Sequence, residues 1–294
     1  MKKTVFRGMA TAMVTPMTAA GVDYDTFAKF IEFQIASGIN ALVAVGTTGE
    51  SATLSVKERQ AVVEFAIEKV NGRVPVIAGT GTNNTEHVLE FTRHACTAGA
   101  DAVLVVTPYY NKATQGGLYA HYSAVADAAT KPVIIYNVPS RTGCNLQPNT
   151  VARLAEHPNI AGLKEASGDM SQVVEIIAKC GDKLDIYSGE DGITVPMMAM
   201  GAQGCISVLS NVVPRLAVEM TDRFFAGDVA GAAALQCRTL PLINALFSEV
   251  NPIPAKAAVA KMGFGTEYLR MPLCPMEPEH RAVLYAEMEK LGVL

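Results

Sequence analysis

A chain of 294 residues that is 50% hydrophobic and 18% charged carries enough apolar material for a large core, which excludes disorder as its ruling state. The formal charge is −4, both signs are scattered, and no basic run interleaves with aromatics, which argues against a nucleic-acid partner. Six dispersed cysteines without a CxxC or Cys/His cluster point to a reducing compartment and no zinc site.

The chain opens with Met1-Lys2-Lys3, which superficially looks like the charged start of a secretory leader, but Arg7, Thr11, Thr15 and Pro16 interrupt the apolar stretch such a leader needs. Residues 9–16 are predicted to form a first strand instead. A helix follows from Asp25 through Ile35, ending near Gly38, and then a strand over 41–45. Ser55 with Glu58 three residues on is a capping box that opens the next helix. Apolar runs recur at 74–78, 102–107 and 132–137. Pro148 suits the first turn of a helix that ends before Pro158. The run 160–165 is followed by a helix from Asp169 to about Gly181, and further runs lie at 184–188 and 204–209. All of these runs are rich in Val, Ile and Leu without polar alternation, as in parallel strands buried on both faces.

Strands and helices alternating at this spacing predict an α/β fold, a (β/α)8 TIM barrel over 1–225. An open doubly wound sheet is the alternative, but it usually carries a glycine fingerprint after its first strand, and none is present. Residues 226–294 change character: helices are expected over 228–247, 254–262 and 279–291, with Pro272, Pro275 and Pro278 between the last two. This part reads as a C-terminal helical appendage packed on the barrel and available for oligomer contacts. No stretch approaches the roughly 20 apolar residues of a membrane span, so a soluble, cytoplasmic protein with no membrane partner is expected.

Active-site residues of such barrels sit at the C-terminal ends of the strands. Lys164 lies inside an apolar strand, where a cation is costly to bury and the neutral amine, a nucleophile, is favoured. Its alternative is a lysine that reaches the rim or pairs with a carboxylate, although the adjacent Glu165 faces the opposite side. Thr47 and Thr48 lie between Gly46 and Gly49, so their hydroxyls and amides can hold a carboxylate; a plain strand-to-helix turn is the competing reading. Tyr110 and Tyr136 offer phenols for proton transfer, or half-buried packing. Arg141 follows Pro139 on the same rim, and a guanidinium grips a carboxylate in a fork. The five histidines form no ligand pair and read as surface or packing residues. Glu190 and Asp191 read as a helix cap rather than a metal site.

The motifs GTTGES at 46–51, TPYYN at 107–111, YNVPSRTG at 136–143, GLKEASGD at 162–169 and NPIPAK at 251–256 closely resemble those of the dihydrodipicolinate synthase family, over nearly the whole chain. The resemblance implies condensation of pyruvate with L-aspartate 4-semialdehyde on the route to diaminopimelate and lysine, without metal or organic cofactor. It implies that Lys164 forms the Schiff base and that Thr47, Tyr136 and Tyr110 relay protons, Tyr110 reaching in from a neighbouring subunit. Thr48 corresponds to the residue on the pyruvate carboxylate, Arg141 to the one on the semialdehyde carboxylate, and Gly189 and Ile206 to the pyruvate pocket. A homo-oligomer, a dimer of dimers, is implied as well.

The resemblance also implies an effector cleft at Ser51, Asn83 and Tyr109. There, Val56, Arg59 and His87 stand where lysine-inhibited members have two histidines and a glutamate. Losing the carboxylate that would pair with an ammonium implies little or no lysine feedback, which the rate with both substrates and added lysine measures. Rival readings are a sister pyruvate aldolase, such as N-acetylneuraminate lyase or a keto-deoxy sugar acid aldolase, and a non-catalytic barrel that senses a ligand. Arg141 weighs against the sugar-cleaving relatives, and the intact residue set weighs against the sensor.

Overall fold

Each apolar run becomes a strand, and each of these strands finds two parallel neighbours. In the computed structural model, which describes residues 4–294, the eight strands close on themselves into one barrel. The leader-like Met1-Lys2-Lys3 lies outside the described residues. The first part of the chain runs β1 (Gly8–Ala12), a hairpin of β2 (Met17–Thr18) and β3 (Gly21–Val22), α1 (Tyr24–Ala36), β4 (Ala41–Ala44), α2 (Val56–Val70), β5 (Val76–Gly79) and α3 (Thr85–Ala98). It continues through β6 (Ala102–Val106), α4 (Gln115–Ala128), β7 (Val133–Asn137), α5 (Pro139–Thr142), α6 (Pro148–Ala155) and β8 (Ile160–Glu165). Then come α7 (Met170–Cys180), β9 (Asp185–Ser188), α8 (Thr194–Ala199), β10 (Gly204–Ser207) and α9 (Pro214–Phe225). Helices α10 (Val229–Leu246), α11 (Ile253–Lys261) and α12 (Pro278–Lys290) complete the chain. The barrel order is β1-β4-β5-β6-β7-β8-β9-β10, with β10 pairing back onto β1.

The capping signals act where they were placed. Ser55 accepts from the Glu58 amide while Glu58 reaches back to the Ser55 amide, the reciprocal pair of a capping box. Asp169 caps α7 through the amides of Ser171 and Gln172, and Pro148 occupies the first turn of α6. Two runs end two or more residues early as strands. The first strand stops at Ala12, because Asn211 turns inward there: it donates to the Ala12 carbonyl and accepts from the Val14 amide. The last strand stops at Ser207, where the Asp191 carboxylate collects the amides of Val208 and Leu209 and starts a short 3-10 turn. The β2–β3 hairpin was not anticipated, since two residues per strand leave no periodic pattern to read.

Side chains alternate about the barrel wall. Outward-facing Leu42, Val103, Ile135 and Leu163 join the large core under the helices, while inward-facing Val43, Ile77, Leu104, Ile134, Tyr136 and Ile206 fill the barrel. At the amino-terminal end Phe6 stacks on Tyr187 with centroids 4.3 Å apart, and the Tyr187 hydroxyl donates to the Phe6 carbonyl at 2.8 Å. This aromatic pair closes the bottom of the barrel. Where β10 meets β1, a Cβ on Gly204 would stand 1.8 Å from the Gly8 carbonyl oxygen, so the close approach admits only glycine. No helix among the described residues is long and apolar enough to cross a membrane.

Candidate active site

Lys164 occupies the next-to-last position of β8, in register with Tyr136 on β7 and Tyr187 on β9. Alternation turns Leu163 and Glu165 outward and Lys164 into the barrel. The lysine is 5% exposed, and its Nζ lies 4.2 Å from the centroid of the Tyr136 ring. No carboxylate among the described residues stands within ion-pair distance of it. Neither bland alternative therefore applies: the lysine does not reach solvent and is not paired. Glu165 is committed elsewhere, accepting from the Ser167 amide at 2.7 Å and from Asn137 Nδ2 at 3.0 Å, with Gln172 Nε2 at 3.4 Å. Burial pushes its carboxyl up from the usual glutamate value, and this network braces the end of β8 against α7 and the β7 loop.

Gly189, just past β9, has a direct steric reason to be glycine. A Cβ there would lie 2.7 Å from the Ala166 Cβ and 2.9 Å from the Lys164 Cε, in the space the lysine stem occupies. Ile206, 1% exposed, belongs to the same inner cluster as Tyr136.

The strand-four turn stacks short hydrogen bonds: Gly49 N to Gly46 O at 3.1 Å and Glu50 N to Thr47 O at 3.0 Å. Thr48 is buried, and its hydroxyl accepts from Asn251 Nδ2 at 2.9 Å. Thr47 and Tyr136 meet in a small inner cavity with Leu104 and Gly79. Above it the mouth widens in two directions. A cavity of about 550 Å³ is lined by Tyr136, Ser140, Arg141, Gly189 and, from α10 and the residue that follows it, Asn244 and Phe247. A second, of about 290 Å³, is lined by Thr47, Ser51, Arg59, Tyr109, Arg141 and Asn251. Arg141 borders both, on the exposed rim of α5, with Nη1 at 3.3 Å from the Asn251 carbonyl. A buried lysine, a phenol on its flank and an arginine at the entrance suit a small ketone acid below and a second acid above.

Tyr110 is not gathered with the others in this chain. It is 88% exposed and has φ +75°, with the Asn111 amide closing on the Tyr109 carbonyl at 2.9 Å. A bulky residue in this region costs on the order of 1–3 kcal/mol, and such strain clusters at functional sites. Of the cleft residues, Ser51, Tyr109 and Arg59 share the smaller mouth cavity, whereas Asn83, Val56 and His87 do not line it. Arg59 is 8% exposed, lies 4.0 Å over the Phe91 ring and donates to the Gly79 carbonyl at 3.2 Å; burial pushes its guanidinium down to about 10. Of the histidines, His121 is buried and packs edge-on against Tyr122, with burial holding it down at about 4. No group of three or more His, Cys, Asp or Glu side chains among the described residues is arranged to hold a metal ion.

Two residues without an assigned role in the sequence reading stand at the site, and Asp191, expected with Glu190 to cap the helix it begins, serves another turn, since that short helix has no side-chain cap. Asn251 touches Thr48 with its side chain and Arg141 with its carbonyl. Lys256 pairs with Glu50 in complete burial. Asp191 organises the turn after β10. Lys256 had a readable signal, a lysine in an apolar stretch, the same one that marks Lys164. Asn251 had none, because its partners are distant in the chain.

Residues 5–291 match the Dihydrodipicolinate synthetase family. The chain is 53% identical over 290 residues to the 4-hydroxy-tetrahydrodipicolinate synthase of Geobacter sulfurreducens, covering 99% of this chain and 100% of that one. It is 49% identical to the enzyme of the same name from Syntrophobacter fumaroxidans, again over 99% and 100%. The dihydrodipicolinate synthase of Thermotoga maritima superposes with a TM-score of 0.97 at 40% identity, covering 99% of this chain and 100% of that one. The chloride-inhibited enzyme of Acinetobacter baumannii, solved with pyruvate, superposes with a TM-score of 0.96 at 43% identity, covering 99% and 100%. With Lys164 unpaired at the barrel's inner face and sequence agreement running from end to end, the chain belongs to the dihydrodipicolinate synthetase family.

Proposed function

We propose that this chain condenses pyruvate with L-aspartate 4-semialdehyde through a Schiff base on Lys164, as a 4-hydroxy-tetrahydrodipicolinate synthase. The observation that carries the reading is a buried, unpaired lysine flanked by Tyr136, in the room left by Gly189. The neutral amine attacks the ketone carbon of pyruvate, and the carbinolamine loses water to give the iminium. Tyr136 moves the protons of that step, with Thr47 beside it in the inner cavity. A base then takes a methyl proton while the C–H bonding electrons flow into the iminium, giving the enamine, whose carbon attacks the aldehyde carbon. The amino group of the second substrate then displaces Lys164 by transimination, closing the ring and freeing the amine. Thr48 holds the pyruvate carboxylate and Arg141 the semialdehyde carboxylate, each as an anion met by donors.

Tyr110 extends the reading to assembly. Its exposure and strained turn support a role in the site of a second copy of the chain, within a homo-oligomer built as a dimer of dimers. Val56, Arg59 and His87, none of them a carboxylate, stand at the cleft positions and support weak or absent lysine feedback, and the reaction's place in amino-acid synthesis supports a cytoplasmic location. Residues 1–225 serve as the catalytic unit, with 226–294 packed on it.

The deciding experiment is borohydride reduction in the presence of pyruvate, followed by peptide mass mapping. A single pyruvate-derived adduct on Lys164, absent from Lys164→Ala, is expected. An unlabelled Lys164 in active protein would overturn the mechanism.

A further inference from the structure

The stretch 251–256 has no reacting group, yet residues 251–259 are buried without a break. Lys256 reaches Glu50 there, with side-chain exposures of 2% and 0%. The second carboxylate oxygen of Glu50 accepts from the Arg270 amide at 3.3 Å and stands 3.5 Å from the Thr53 hydroxyl. Glu50 is also where the chain leaves the Thr47-Thr48 turn, through φ +57°. Asn251, in the same stretch, donates to the Thr48 hydroxyl at 2.9 Å. One short segment thus grips the turn at positions 48 and 50, and nothing else in that segment faces the mouth except Asn251 and Pro252.

A fully buried ion pair is a poor way to gain stability, because desolvation offsets most of the attraction. What it supplies is direction: a charge with no water to turn to must meet its partner at one place. The turn needs such direction, since a non-glycine residue in the left-handed region is held there only by surroundings that over-determine it.

We propose that Glu50 and Lys256 are positioning residues for the reaction at Lys164, fixing the turn so that the Thr47 and Thr48 hydroxyls meet pyruvate in the correct place. The proposal rests on the reading that pyruvate binds at this turn. It makes the C-terminal helices part of the active site's construction rather than a covering laid on a finished barrel.

The test uses the full-length enzyme and three variants. Glu50→Asp keeps the charge and shortens its reach, and should raise the pyruvate KM about tenfold, with borohydride trapping counting the active sites for kcat, as small misplacements in active sites do. Adding Lys256→Arg to that variant lengthens the other arm and should bring the KM back to within about threefold of wild type. The double variant Glu50→Gln with Lys256→Met removes both charges at similar volume, and should fold, trap pyruvate at Lys164 and keep the raised KM. Variants that lose thermal stability while keeping the wild-type pyruvate KM would overturn the proposal; if the uncharged double variant fails to fold, Glu50→Asp and its rescue decide. Failure of wild type to trap pyruvate at Lys164 refutes the Schiff-base reading instead, whatever the variants do.

Discussion

Two lysines among the described residues are buried, and their neighbours separate their roles. Lys256 meets Glu50; Lys164 meets an aromatic face and the open space beside Gly189. Burial alone does not distinguish a nucleophile from a strut. The absence of a counter-charge around Lys164 among the described residues does. That logic makes Gly189 a steric guard of the amine. Gly189→Ala places a methyl group where the Lys164 stem runs, so kcat should fall on the order of 100-fold while the circular dichroism spectrum stays that of the wild type. A near-wild-type rate would show that the lysine relocates freely and that the glycine has another reason to be there.

At the scale of elements, the punctuation of helices was the most legible part of the sequence. Ser55 with Glu58, Asp169 and Pro148 act within a few residues of themselves, so a local pattern suffices to find them. What the sequence hid was the second use of the same side chain. Glu58 closes its own capping box and also takes a fork from Arg270, with Nη1 to Oε2 at 2.8 Å, tying α2 to the segment before α12. The Arg270 hydrogen bond, the largest influence, holds the Glu58 carboxyl at about 2, below its ordinary 4.5. A carboxylate depressed on folding stabilises the native state above its unfolded value, and that stability disappears as pH falls through the folded one. Glu58→Gln should therefore lower the melting temperature at pH 6, with the gap to wild type shrinking below pH 4.5 and closing near pH 2. With both side chains about a quarter exposed (29% and 24%), the term is on the order of 1 kcal/mol. A gap independent of pH would assign the loss to the helix cap instead.

Over the whole molecule, the alternation of strand and helix made the barrel legible, and the rule that chemistry collects at strand ends placed Lys164, Tyr136, Thr47 and Arg141 on one mouth. Asn251 escaped because its contacts span 203 residues to Thr48, and no local pattern records a partner that far away. Tyr110 was legible as a motif residue, but its strained, exposed turn appears only in three dimensions. If Tyr110 serves the neighbouring subunit, Tyr110→Phe and Lys164→Ala disable different halves of a shared site. Co-expressed, the two variants should pair into hybrids with one intact site each, recovering roughly a quarter of wild-type activity by statistical pairing. Recovery no greater than the sum of the separate variants would place Tyr110 outside its partner's chemistry.

The stacked pair of Phe6 and Tyr187 seals the far end of the barrel, which makes the site a blind alley. Arg141 borders both cavities of the mouth, so on the proposed mechanism what reaches the amine and what is released pass near it. Pyruvate, which must sit deepest, has to enter first, and the water expelled on forming the iminium must leave before the second acid fills the passage. On the proposed mechanism the order of events follows from traffic: a semialdehyde that arrived early would stand in the way of pyruvate. Walls of this shape turn a chemical sequence into a queue.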